Sequence, residues 1–87
     1  MLENTLNIAT CQFAVSGSIT HNSQSIHQLM KDAAGKGAQI VHFCECALSG
    51  YAGIDFDSFD GFDWDLLKSE TEKIMQLAGE LKTWVIL

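Results

Sequence analysis

The chain has 87 residues, 47% of them hydrophobic and 18% charged, with no proline and no arginine. That size allows one small domain or part of a larger one, and the apolar content excludes a disordered tract. Five lysines against eleven carboxylates give a net charge of −6, which argues against a nucleic-acid phosphate partner and an anionic membrane surface, since both rely on clustered Lys and Arg.

Residues 6–15 read as a buried strand, with Leu6, Ile8, Cys11, Phe13 and Val15 as its apolar positions and Gly17 and Ser18 as its stop. A helix follows. Ile26, Leu29, Met30, Ala33 and Ala34 are spaced by 3, 4, 7 and 8 from the first, one face of an α-helix. Ser18 or Thr20 serves as its N-cap, and the Gly35-Lys36-Gly37 run ends it. Residues 38–43 form a second strand, so strand, helix and strand make a βαβ unit with parallel strands and a right-handed crossover. Residues 44–65 read as a loop in which acids alternate with aromatics from 55 onward. A second helix over 66–82 buries Leu67, Ile74, Leu77, Ala78 and Leu81, and residues 83–87 form a third strand. The fold class is α/β. Parallel sheets need both faces covered, and two helices are too few for that, so the chain reads as part of a larger α/β domain.

No apolar run approaches the roughly 20 residues of a membrane-spanning helix. The opening residues carry no basic-then-apolar secretory signal. Cys11, Cys44 and Cys46 are an odd count with two of them one residue apart, a poor disulfide framework that favours a reducing, cytoplasmic setting.

Glu45 is the first candidate for chemistry. It directly follows a buried strand, and in open α/β folds functional groups gather at the carboxyl ends of strands. A carboxylate desolvated by apolar neighbours is the setting of a general acid or base. Cys11 reads as a small core residue. Cys44 and Cys46 with His42 have the wrong spacing for a structural zinc site, so no metal is expected. His21, His27 and His42 do not cluster, His27 is placed on the exposed side of the first helix, and Lys68, Lys73 and Lys82 read as solvated charges. The acidic loop fails as a calcium loop: with Gly61 at the sixth position, Phe56 and Leu67 fall where carboxylates belong. Phe56, Phe59, Phe62 and Trp64 are expected to pack over a site or against a partner. Tyr51 is a candidate to line the pocket beside Glu45.

The stretch Phe43-Cys44-Glu45-Cys46-Ala47-Leu48-Ser49-Gly50-Tyr51 resembles the first signature of the nitrilase, or carbon–nitrogen hydrolase, superfamily: an apolar strand, Phe-Pro-Glu, a few small residues and Gly-Tyr. Ala9-Thr10-Cys11-Gln12-Phe13 is similar to the family's opening strand. Asn22 matches an asparagine common early in the first helix, and residues 33–38 resemble the small-residue and glycine run before the second strand. The resemblance implies a β-α-β-(loop)-α-β portion of a four-layer α-β-β-α sandwich, with residues 1–87 as the N-terminal part of the domain. It further implies a Glu-Lys-Cys triad acting on small-molecule amide, nitrile or carbamoyl substrates, without a cofactor, in a homo-oligomer. Glu45 matches the general-base glutamate; the lysine and cysteine are expected beyond residue 87, so the chain alone is expected to be inactive. The family's proline before the glutamate is Cys44 here, which leaves the backbone at Glu45 less constrained. The alternative reading is a small non-catalytic α/β binding module.

Overall fold

The computed structural model describes residues 4–87. Residues 1–3, where the reading of the N-terminus as no secretory signal begins, lie outside the described residues. Five elements follow in order: β1 (Ile8–Thr10), α1 (Ile19–Gly35), β2 (Ile40–His42), α2 (Trp64–Leu81) and β3 (Trp84–Ile86). The three strands are parallel in the order β1-β2-β3. Ala9, Val41 and Val85 stand in register across the sheet, flanked by the rows Ile8, Ile40, Trp84 and Thr10, His42, Ile86.

The regular strands are shorter than the apolar runs suggest. Single bonds extend the ladder, from the Cys11 N–H to the His42 carbonyl at 2.8 Å and from the Phe43 N–H to the Ile86 carbonyl at 2.9 Å. Beyond that, half-buried Phe13 and Val15 still alternate with exposed Gln12 and Ala14. Alternation records which face is covered; a strand also needs a neighbour, and among the described residues none pairs with 12–15.

Both helices close with local chemistry. The Ser18 hydroxyl caps α1 by accepting the His21 N–H at 3.2 Å. At its other end the Ala38 and Gly37 N–H groups return to the Ala33 and Ala34 carbonyls, and Gly37 takes φ +88, a Schellman turn in which glycine escapes the Cβ penalty. α2 begins two residues earlier than its apolar face suggests, because Asp63 caps it by accepting the Leu66 N–H at 2.9 Å. Its end repeats the Schellman pattern with Lys82 in the left-handed position, at φ 56.

The two helices pack on each other and share one core. Ile26, Met30 and Ala33 from α1 meet Ile74 and Leu77 from α2, with Val41 beneath them and Ala9 and Val85 packed alongside. Right-handed crossovers in a 1-2-3 strand order put both helices on one face of the sheet. The opposite face is open: Ile8 is 59% exposed, Trp84 78% and Ile86 52%. An apolar, uncovered face on a parallel sheet is consistent with a β-α-β-α-β portion of a larger sandwich. No helix among the described residues is long and apolar enough to cross a membrane.

Candidate active site

β2 ends at the foot of the candidate site. Phe43 is almost completely buried and meets Phe13 edge-on, with ring centroids 6.4 Å apart. The next residues turn sharply. Cys46 takes φ 58, and the Gly50 N–H closes the turn on the Cys46 carbonyl at 2.9 Å. A left-handed non-glycine residue costs about 1–2 kcal/mol, so the surroundings must hold this conformation. Ala47 and Leu48 anchor it by burying their side chains in the core.

Further contacts hold the turn and the loops beside it from behind. Asn22 is fully buried and donates to the Leu48 carbonyl at 3.0 Å and to the Ser16 carbonyl at 2.7 Å, while its Oδ1 accepts the Ser16 N–H at 2.9 Å. Gly50 has φ +80, and a Cβ there would stand 2.6 Å from the Ser16 carbonyl oxygen. Gly17 is as tight, its hypothetical Cβ lying 2.5 Å from the Asp55 carbonyl oxygen. The loops that leave β1 and β2 are therefore pressed together backbone to backbone, which only glycine permits.

Glu45 opens the turn. Its side chain is exposed and makes no hydrogen bond or ion pair among the described residues. It stands on an open cleft of ≈ 380 Å³ lined also by Cys46, Ala47, Leu48, Ser49, Leu67, Thr71 and Leu87. The apolar enclosure expected around this carboxylate from its sequence neighbours is not present: those neighbours bury themselves in the core and leave Glu45 on the rim. Tyr51 is about half exposed and lies at the head of the next turn, where its N–H donates to Asp55 Oδ2 at 2.7 Å. It is not among the residues lining the Glu45 cleft.

All three cysteines are free thiols. Burial, and secondarily the Asp32 carboxylate, push the Cys11 thiol above its ordinary value, so it stays protonated and behaves as the core residue expected. Cys46 lines the cleft next to Glu45, and Cys44 is exposed. No lysine lines the cleft. Among the described residues no three His, Cys, Asp or Glu side chains are gathered as a metal ion would require.

A further placement differs from expectation. His27 is half-buried rather than exposed, and its Nε2 is buried without a partner among the described residues. It acts electrostatically on Glu70 of α2, which is 8% exposed and holds Lys73 Nζ at 2.7 Å. Phe56, Phe59, Phe62 and Trp64 pack chiefly on one another, with Phe59 stacked on Trp64 at 5.4 Å and Phe56 against Phe62 at 5.2 Å. Phe56 and Phe62 also line a second cleft, of ≈ 370 Å³, against residues 17–20 at the start of α1.

The role of Asn22 was not read from the sequence, although its spacing contains the signal. Asn22, Ile26 and Met30 are four apart and share the buried stripe of α1, and a polar side chain on such a stripe must find partners.

The chain thus carries an exposed glutamate shortly after β2, on an open cleft, with Gly50 and Tyr51 following the turn. The carbon–nitrogen hydrolase family model matches residues 7–87, nearly the whole chain, and the chain belongs to that family. No curated protein and no solved structure matches it.

Proposed function

We propose that the chain supplies the general-base glutamate of a hydrolase of non-peptide carbon–nitrogen bonds, and that Glu45 is that base. The observation that carries this is the position of Glu45: a solvent-open carboxylate at the carboxyl end of β2, on a fixed turn, beside a cleft, within the residues that match the family.

The chemistry needs two partners that the resemblance puts after residue 87, a cysteine and a lysine. The Glu45 carboxylate takes the thiol proton, and the thiolate adds to the carbon of an amide, nitrile or carbamoyl group. For an amide, the lysine ammonium stabilises the oxyanion that forms. The amine leaves with the proton that Glu45 returns, and a thioester remains. Glu45 then takes a proton from water, which attacks the thioester and releases the acid and the thiol. The reaction uses no cofactor. Tyr51 is proposed as a pocket residue on the approach to this site, in a cytoplasmic homo-oligomer.

The test is turnover of a panel of small amides, nitriles and carbamoyl compounds by the native gene product and by its Glu45→Gln variant. The variant should lose on the order of 10²–10⁴-fold in kcat, the usual contribution of a positioned acid–base group. The purified 87-residue chain should show no turnover. Amidase activity in that chain that survives Glu45→Gln would refute the proposal.

A further inference from the structure

Asn22 plays no part in the chemistry above, yet every hydrogen-bonding group of its side chain is used. The amide has one carbonyl and two N–H donors. The carbonyl accepts from Ser16, with the backbone N–H at 2.9 Å and the hydroxyl at 3.4 Å. One donor goes to the Ser16 carbonyl at 2.7 Å and the other to the Leu48 carbonyl at 3.0 Å. Ser16 lies in the loop after β1 and Leu48 in the turn after β2, so one buried side chain on the first turn of α1 bridges both loops at the Glu45 end of the sheet.

Other forces also act on that turn. Ala47 and Leu48 are buried, but apolar burial is non-directional; it sets how deep the turn sits and leaves its orientation free. The hydrogen bond to Leu48 is directional, and it falls three residues after Glu45, inside the turn that the Gly50 N–H closes. The same side chain fixes the Ser16 carbonyl against which Gly50 packs.

We infer that Asn22 is a positioning residue for Glu45: it sets the orientation of the 45–49 turn through the Leu48 carbonyl. Its catalytic consequence rests on the hydrolase reading; its effect on the turn does not. Asp at this position keeps the acceptor but, when ionised, offers no donor and faces two carbonyl oxygens.

Amide hydrogen exchange on the native gene product tests the effect on the turn. Asn22→Ala should speed exchange of the Gly50 N–H roughly ten-fold or more beyond the change at Ile74, a core amide in α2, because loss of a buried partner opens that turn locally. In Asn22→Asp the extra exchange at Gly50, corrected for the intrinsic rate, should shrink as acid protonates the new carboxyl and restores one donor. This variant also serves if Asn22→Ala does not fold. Equal acceleration at Gly50 and Ile74 in both variants would overturn the inference, since it would mean that Asn22 only adds to global stability. In the native gene product, Asn22→Asp should lower kcat with KM little changed. If the wild type turns over no carbon–nitrogen substrate, the hydrolase reading fails while the exchange result still decides the role of Asn22 in the turn.

Discussion

Residues 45–50 and 54–65 follow one another in the chain and are held by different forces. The first segment is fixed by directional contacts to buried atoms: the Asn22 bond to Leu48, the closing bond at Gly50 and the close approach of Gly50 to Ser16. The second is held mainly by four aromatic rings packed on each other, with Ile54 80%, Phe59 51% and Trp64 57% exposed. Buried polar bonds fix one backbone geometry, because leaving them unmade is costly. Ring contacts tolerate several arrangements of nearly equal energy. The difference fits a division of labour in which the turn aims a reacting group and the loop can vary.

Substitutions break this comparison in order of effect. Phe43→Ala, at the entry to the turn, should cost about 3–5 kcal/mol by loss of a buried ring, read as a shift of the urea midpoint. Phe59→Ala, in the exposed cluster, should cost less than about 1 kcal/mol. Glycine substitutions sharpen the contrast. Gly50 and Gly61 both have positive φ, at +80 and +70, but only Gly50 lacks room for a Cβ. Gly61→Ala should cost about 1 kcal/mol of backbone strain, and Gly50→Ala clearly more, since the Ser16 carbonyl must move. Equal costs at the two sites would mean that the loops are not in fact pressed together.

Smaller effects come from α2, which borders both segments. The Lys73 ammonium holds the Glu70 carboxyl below its ordinary value, against the opposing pull of burial and with help from the Ser23 hydroxyl and His27. A lowered carboxyl adds stability that is present above the unfolded value of about 4.3 and is lost as pH falls through the lower folded value. Acid unfolding curves of Glu70→Gln should therefore lack part of the wild-type loss below about pH 4. Lys82→Gly relieves the left-handed cap of α2 and should raise stability by roughly 0.5–1 kcal/mol, seen as a higher Tm.

Much of the fold can be read from the sequence because two periodicities carry it. The 3, 4, 7, 8 spacing from Ile26 marks the buried face of α1, and the apolar runs mark the three strands in their βαβ order. Glu45 is legible as an acid that directly follows a strand. What escapes depends on pairs of residues distant in the chain. Asn22 and Leu48 are 26 residues apart, and no local pattern joins them. The enclosure expected at Glu45 fails because burial of Ala47 and Leu48 says nothing about the direction of the residue before them. His27 lies between the two helix faces, and only the packing of α1 on α2 reveals it as half-buried. The start of α2 is a missed local signal: Asp63 is a good N-cap, obscured by the aromatic run around it.

The central claim is that Glu45 is the base of a carbon–nitrogen hydrolase site, and the most direct measurement is the rate of amide or nitrile hydrolysis by the native gene product with and without Glu45→Gln. The account predicts measurable turnover in the wild type and a loss of on the order of 10²-fold or more in the variant, with both proteins unfolding at the same denaturant midpoint because Glu45 is exposed and makes no hydrogen bond or ion pair among the described residues. Turnover that survives the substitution would contradict it.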